Sequence, residues 1–201
     1  MKHQKGSNKG VGFGICKQLA SNGITVVLTA RDEKKGLEAV EKLKEIGLFG
    51  NVVFHQLDVT DPASITSLSD FIKARFGKLD ILVNNAGIPG GKVDGNALVA
   101  SGSGGKKGDN VDWGKILSDS PKIVNVSSSM GRLDKIPNGR PREGLSDVEN
   151  LTEEKLDEIL SEFLKDCKEG SLENKGWPAL MSGYIVSKAA LNCYTRILAK
   201  K

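Results

Sequence analysis

The sequence has 201 residues, of which 38% are hydrophobic and 27% charged, which is enough for one domain with a buried core. Its net charge of +4 comes from basic residues interleaved with acidic ones, so no nucleic-acid partner is expected. No apolar run approaches the ~18 residues of a membrane span, and the N-terminus lacks the apolar stretch of a signal peptide, so no membrane partner is expected. Cys16, Cys167 and Cys193 lack metal-ligand spacing. They are typical of reduced thiols in a cytoplasmic protein without a metal site.

The chain opens with a glycine-rich turn. Residues 6–12 read Gly-Ser-Asn-Lys-Gly-Val-Gly and precede an amphipathic run over residues 13–21. Glycine lets the backbone turn tightly and brings its N–H groups close to a phosphate, and a helix N-terminus adds favourable partial charge. Such a turn normally follows a buried strand, whereas residues 1–5 are polar. The turn predicts a phosphate-binding loop, with an ordinary surface loop as the alternative.

Strand and helix patterns then alternate. Apolar, β-branched runs at residues 24–29, 51–57 and 79–83 predict strands, and helical spacing of apolar residues over 33–46 and 62–76 predicts helices. Pro62 suits the first turn of a helix. Strand, helix, strand, helix, strand within about 60 residues is typical of a parallel α/β sheet. His55, within the second strand, is expected to be a packed or edge histidine.

The following part of the chain breaks this alternation. Residues 88–114 are rich in glycine and lysine and predict a long surface loop before a further strand over residues 122–126. Parallel strands are usually connected through a helix, and no helix is predicted here. Residues 132–150 are polar and predict turns. Residues 151–168 predict an amphipathic helix capped by Thr152 or Asn150.

A tyrosine and a lysine stand four residues apart near the end of the sequence. Tyr184 and Lys188 begin an apolar, alanine-rich segment that extends to Leu198. On a helix, positions i and i+4 share a face, so the ammonium can lie beside the phenol. A neighbouring cation favours an ionised phenol, which suits a tyrosine for proton transfer. Taken alone, the pair also fits an ordinary helix surface.

Five motifs, in this order, resemble the short-chain dehydrogenase/reductase family. They are the glycine turn, Asp58-Val59 after a strand, Asn-Asn-Ala-Gly at residues 84–87, a serine cluster at residues 127–129, and Tyr-x-x-x-Lys. Residues 151–177 resemble the carbonyl-reductase branch with its plant salutaridine and menthone reductases. The resemblance implies a doubly wound parallel sheet, a Rossmann fold, in one incomplete α/β domain over residues 1–201, with residues 132–181 as an excursion before Tyr184.

The resemblance implies NADP(H) as the cofactor. Arg31, after the strand at residues 24–29, would pair with a 2′-phosphate, because a planar guanidinium binds phosphate through two hydrogen bonds. Asp32 follows it, and an acidic residue that binds a ribose diol would instead indicate NAD. The glycine turn would hold the pyrophosphate, Asp58 would flank the adenine, and residues 84–87 the adenosine ribose. The implied cofactor-binding residues are Gly6, Asn8, Lys9, Gly10, Val11, Gly12, Arg31, Asp58, Val59, Asn84, Ala86, Gly87, Tyr184 and Lys188.

The resemblance also implies that Ser128, Tyr184 and Lys188 are catalytic. Tyr184 would give a proton to a carbonyl oxygen as hydride arrives from the nicotinamide, and Ser128 would hydrogen-bond that oxygen. Lys188 would assist the tyrosine and hold the nicotinamide ribose. Ser128 stands three residues before Gly131, as in the family's Ser-x-x-Gly, whereas Ser127 and Ser129 are expected to make ordinary hydrogen bonds at the strand end. The implied function is an NADPH-dependent carbonyl reductase, a cytoplasmic monomer acting on a small-molecule carbonyl or alcohol.

Three parts of the family pattern have no counterpart in the sequence. They are a strand before Gly6, a helix with the family's catalytic asparagine near residues 116 and 117, and a segment beyond Lys201 that closes over the nicotinamide. These gaps leave a second function open: a shortened, catalytically silent module that binds cofactor weakly or contacts another protein. An epimerase or dehydratase of the extended branch fits less well, because the chain is short and carries residues 151–177.

Overall fold

A computed structural model of the chain describes residues 7–48, 50–86 and 117–200. The chain divides into two compact units. The described residues of the first unit are 7–48, 50–86 and 117–124, and those of the second are 125–200. The loop predicted at residues 88–114, and with it the missing crossover helix, lies outside the described residues. That residues 1–201 form a single domain stays a prediction.

The first unit is built from alternating helices and strands. In chain order they are α1 (Gly10–Ser21), β1 (Val26–Ala30), α2 (Glu33–Glu45), β2 (Val52–Gln56), α3 (Pro62–Phe76), β3 (Leu79–Asn84) and β4 (Leu117–Asn125). β1 and β2 pair in parallel with Ala30 beside Gln56, and β3 pairs with β4. The predicted α/β alternation is confirmed, and the predicted parallel pairing is confirmed for β1 and β2. The described strands form two sheets of two strands each.

Capping side chains fix where the helices of this unit begin. Asp32 Oδ1 accepts the Lys35 N–H at 3.0 Å, and Asp61 Oδ1 accepts the Ala63 N–H at 3.1 Å. A carboxylate in this position satisfies a backbone N–H that has no partner within the helix. α1 begins at Gly10, three residues before the amphipathic run, because Gly-Val-Gly has too few apolar side chains to show a helical period.

α1 and α2 pack against β1 and β2 to form the core of the first unit. Leu28 on β1 and Leu43 on α2 are both fully buried. Burying such side chains is the main stabilising contribution to an α/β layer. The other buried apolar residues of this cluster are Cys16, Ala20, Val26, Ala39, Val40 and Val52.

The described part of the second unit is mainly helical. Two short 3-10 turns (Ser129–Gly131 and Leu133–Lys135) lead to α4 (Arg140–Ser146), α5 (Glu153–Lys168), a third 3-10 turn (Glu173–Lys175) and α6 (Ser182–Leu198). The Thr152 hydroxyl caps α5 by accepting the Lys155 N–H at 3.3 Å, as one of the two predicted caps. Residues 132–150 are rich in turns, as predicted, and they also contain the unpredicted helix α4. α4 has only seven residues, too few for a visible period, and it forms because Leu145 is fully buried.

α6 is buried by its packing against α4 and α5. Ala189 and Cys193 on α6 lie in one cluster with Leu145 and Leu156. Val186 packs on Phe163 and Trp177, which closes the other side of the helix. Within the described ranges, no helix is long and apolar enough to cross a membrane.

Candidate active site

The three predicted catalytic residues lie in the second unit. Ser128 precedes the first 3-10 turn, and Tyr184 and Lys188 lie near the start of α6. This turn packs directly on the helix, because a Cβ atom on Gly131 would lie 2.7 Å from the backbone carbonyl carbon of Lys188. A residue with a side chain does not fit at that separation. The structure therefore brings the Ser-x-x-Gly turn and the Tyr-x-x-x-Lys helix together.

Three hydrogen bonds hold residues 125–131 against α6. Lys188 Nζ donates to the Val126 carbonyl oxygen at 2.7 Å, and Asn192 Nδ2 donates to the Gly131 carbonyl oxygen at 3.0 Å. Further along the helix, Asn125 Nδ2 donates to Thr195 Oγ1 at 2.8 Å. The serine turn is thus fixed by the helix that carries the tyrosine.

The hydroxyl groups of Ser128 and Tyr184 are available to a ligand. Ser128 Oγ accepts the Met130 N–H at 3.2 Å, which uses a lone pair and leaves the O–H free to donate. Tyr184 is partly exposed, and its hydroxyl makes no hydrogen bond within the part of the chain that the structure describes. Met181 is the N-cap residue of this helix, and its backbone oxygen accepts the N–H groups of Tyr184 and Ile185 at 2.9 Å each.

The two other serines of the cluster behave differently from each other. Ser129 is exposed. The Ser127 hydroxyl is buried and has no hydrogen-bond partner among the described residues, so the expected strand-end hydrogen bond of Ser127 is wrong. The hydrogen bonds that Lys188 and Asn192 make in this loop go to the Val126 and Gly131 carbonyl oxygens instead.

The glycine turn lies at the carboxyl end of β1 in the first unit. The Ser7 N–H donates to the Thr29 carbonyl oxygen at 3.2 Å, and Gly10 has a φ of +59°, a conformation that favours glycine. Lys9 is the N-cap residue of α1, and its side chain does not cap the helix. The first N–H groups of α1 are therefore open to an anionic group.

Of the remaining predicted residues, Asn8 is half-buried, Val11 is exposed, Gly12 is buried, and Gly6 lies outside the described residues.

Arg31 and Asp58 lie together where β1 and β2 end. The Leu57 N–H donates to the Ala30 carbonyl oxygen at 3.0 Å, and Gln56 Nε2 donates to the Arg31 carbonyl oxygen at 2.8 Å. Hydrogen bonds from the Thr60 backbone and hydroxyl hold the pKa of the Asp58 carboxyl below its usual value, and the nearby Arg31 cation lowers it further. Arg31 itself is exposed.

The Asp32 carboxylate is engaged in its own helix. It caps α2 through the Lys35 N–H and pairs with Lys35 Nζ at 3.0 Å. The hydrogen bonds from Lys35 hold the pKa of Asp32 below its usual value. A carboxylate used in this way is a poor ribose ligand, whereas the exposed Arg31 guanidinium fits a phosphate. The donor set at this edge fits the phosphate groups of a dinucleotide.

The remaining predicted cofactor residues are spread over the first unit. Val59 is exposed and follows Asp58, Asn84 ends β3, and Ala86 is exposed just beyond it. Gly87 lies outside the described residues.

Two residues that hold the candidate site together, Asn192 and Gln56, were not predicted from the sequence. Asn192 stands one helical turn after Lys188, so the i+4 spacing was the signal for it, whereas Gln56 is identified only by its register with Ala30.

A parallel α/β layer with an open helix N-terminus at a strand end, and a serine turn seated on a Tyr-x-x-x-Lys helix, define the class of nicotinamide-dependent oxidoreductases. A family model described as short chain dehydrogenase matches residues 5–101. The (+)-neomenthol dehydrogenase of Arabidopsis thaliana is 52% identical over 229 residues, which is 98% of this chain and 76% of the relative. A more distant relative, carbonyl reductase [NADPH] 1 of Rattus norvegicus, is 37% identical over a range that covers 98% of this chain and 72% of that relative.

The solved structure of salutaridine reductase from Papaver somniferum superposes with a TM-score of 0.82 and 46% identity, over 97% of this chain and 80% of that one. The chain therefore belongs to the short-chain dehydrogenase/reductase family and has its α/β Rossmann fold. It is an oxidoreductase with a nicotinamide cofactor. The alignment of 229 residues is longer than the chain of 201, so the relative carries residues inside the aligned range that have no counterpart here. This agrees with the expectation that an internal segment of the family pattern is missing.

Proposed function

We propose that the chain is an NADPH-dependent carbonyl reductase, in which Ser128, Tyr184 and Lys188 act on a small ketone or aldehyde. The observation that carries the proposal is the packing of Gly131 on the backbone of Lys188, which seats the serine turn on the tyrosine helix. Relatives whose names describe a neomenthol dehydrogenase and an NADPH-dependent carbonyl reductase support the substrate class and the cofactor. The proposal includes a cytoplasmic protein that works as a monomer.

A nicotinamide cofactor, when bound, would supply the hydride that the carbonyl carbon receives. The Tyr184 hydroxyl gives its proton to the carbonyl oxygen, which becomes the alcohol. The Ser128 O–H, free to donate because its lone pair takes the Met130 N–H, stabilises the negative charge that develops on that oxygen. Lys188 has three N–H donors and uses one on Val126. The other two would serve the tyrosine and the ribose of the bound cofactor.

The first experiment measures NADPH oxidation by the purified chain with a small reactive ketone. We expect wild-type activity, and a loss of at least ~100-fold in Tyr184→Phe with an unchanged NADPH affinity, because a positioned proton donor contributes ~10²–10⁴-fold. Tyr194→Phe is the matched control, because Tyr194 lies on the same helix and packs against the core. Full activity of Tyr184→Phe would overturn the assignment.

The choice of cofactor is tested by titration with NADPH and NADH. Arg31→Ala should weaken NADPH binding by about 10-fold or more and leave NADH binding unchanged, because a charge-assisted bond is worth ~1.5–3 kcal/mol. Asp32→Asn, which keeps an N-cap side chain, is the control and should alter neither affinity. Equal wild-type affinities for the two nucleotides would contradict the NADP(H) proposal.

A second candidate function is a cofactor-binding module without turnover. It is favoured by the aligned range, in which the Arabidopsis relative carries residues that this chain lacks. This function predicts NADPH binding in the titration with no oxidation of NADPH in any carbonyl assay. Turnover that depends on Tyr184 would exclude it.

A further inference from the structure

α6 directs a second polar side chain at the serine turn. Asn192 lies one helical turn beyond Lys188, and its Nδ2 donates to the Gly131 carbonyl oxygen at 3.0 Å in a partly buried contact. Lys188 Nζ makes the equivalent bond to the Val126 carbonyl oxygen at 2.7 Å. Ser128 therefore stands between two anchored carbonyl groups, that of Val126 two residues before it and that of Gly131 three residues after it. Each carbonyl group is held by a side chain of the same helix.

The serine turn does not need Asn192 for its internal shape. The Gly131 N–H donates to the Ser128 carbonyl oxygen at 2.9 Å, and Ser128 Oγ accepts the Met130 N–H at 3.2 Å. These two bonds close the turn on itself. The bond from Asn192 instead ties the closed turn, as one body, to α6. Its removal leaves the bonds within the turn in place and takes away one of the three hydrogen bonds that hold residues 125–131 to α6.

We infer that Asn192 is a positioning residue that sets the place of the Ser128 hydroxyl relative to Tyr184. The inference rests on the proposed reductase function and adds a residue outside the Ser-x-x-Gly and Tyr-x-x-x-Lys motifs. Gly131 permits the close approach of the turn to Lys188, and Asn192 adds a directional bond further along α6. Because the bonds to the Val126 and Gly131 carbonyl groups come from side chains one helical turn apart, together they oppose sliding of the turn along the helix axis.

The test compares Asn192→Ala and Asn192→Asp with the wild-type chain. Asp has the shape of Asn but places an oxygen against the Gly131 carbonyl group, so both variants lose the donor. We expect kcat for ketone reduction to fall about 10-fold or more, because a shift of ~1 Å in a catalytic group can cost ~100-fold. The KM for NADPH should stay within about twofold, since Asn192 bonds to the turn alone. Asn150→Ala, in an exposed turn where Asn150 bonds to Asp147, is the control and should leave kcat unchanged.

A second readout works whether or not the chain turns over. In two-dimensional NMR spectra, Asn192→Ala should move the amide signals of residues 127–132 and leave those of α5 in place. A variant with unchanged kcat, or one whose loss of kcat matches its loss of folded protein, overturns the inference, and so do unmoved amide signals in residues 127–132. A wild-type chain that binds no nucleotide and oxidises no NADPH would refute the proposed function instead, while the amide signals still decide the role of Asn192.

Discussion

At Gly131 the backbone of α6 leaves no room for a side chain. A Cβ atom there would lie 2.7 Å from the carbonyl carbon of Lys188 and 2.8 Å from its Cβ atom. Because backbone rather than a flexible side chain is in the way, Gly131→Ala must push the turn off α6. We expect a loss of about 1–3 kcal/mol in the free energy of unfolding, as for other overpacked contacts. Urea unfolding followed by circular dichroism measures it.

Gly183→Ala is the matched control for that substitution. Gly183 lies near the start of the same helix, and a Cβ atom there meets nothing within 4 Å. Alanine in a helix is favoured over glycine by about 0.5–1 kcal/mol, so this variant should be as stable as the wild type or more so. If both variants unfold at the wild-type urea concentration, the turn is not seated on the helix as described.

At the scale of elements, the path of the chain from α5 to α6 is fixed by one buried polar pair. Asp166 on α5 is buried, and its Oδ2 accepts the indole N–H of Trp177 at 2.9 Å. Trp177 also meets Phe163 edge-on, with ring centroids 5.1 Å apart, and packs against Val186 of α6. The pair thus connects α5 to the segment that leads into α6.

Asp166→Ala tests the importance of this pair. The substitution leaves the buried Trp177 N–H without an acceptor, which costs about 1–3 kcal/mol, and it leaves a small cavity. We expect a lower midpoint of unfolding in a guanidinium titration. Asp166→Asn keeps an acceptor oxygen in the same place and should lose less than half as much. Equal losses in the two variants would show that the carboxylate charge, and not the bond to Trp177, is what matters.

The elements that the sequence predicts well are those whose first and last residues are marked by capping residues, proline or glycine. α3 has the predicted bounds, because Asp61 caps it, Pro62 begins it and Gly77 follows it. α4 has no such pattern, and β4 begins at Leu117, five residues before the predicted strand, because its first residues are polar. The candidate catalytic residues were predicted from the family resemblance, which rests on short motifs that can be read directly from the sequence. Asn192 on Gly131 and Trp177 on Asp166 were not, because each bond depends on how separate segments pack.

At the scale of the molecule, each compact unit contains one buried thiol. Cys16 on α1 is 6% exposed and lies in the core of the first unit, and Cys193 on α6 is 1% exposed and lies in the core of the second. Cys167 on α5 is partly exposed. All three are free. The reactivity of each buried thiol therefore reports whether its own unit is packed.

We expect a thiol reagent such as DTNB to react rapidly with Cys167 alone in native protein at pH 8, and with all three cysteines in 6 M guanidinium, a denaturing concentration by the usual scale.

Burial raises the pKa of the Cys16 thiol from 9.0 to about 11, with a smaller opposing effect of a hydrogen bond with Ser7, and burial also raises the pKa of Cys193. Only the thiolate reacts, so Cys16 has roughly one thousandth of its thiol in reactive form at pH 8. Because the pKa of Cys16 is higher in the folded protein than in the unfolded chain, Cys16 contributes to the free energy of unfolding. This contribution is fully present below pH 9.0 and is lost as the pH rises towards about 11. Cys16 should therefore lose its protection across that interval. Cys167→Ser removes the fast reaction and serves as the control, with peptide mapping to assign the label. Fast labelling of Cys16 at pH 8 would show that the first unit is not packed as described, and fast labelling of Cys193 would show the same for the second.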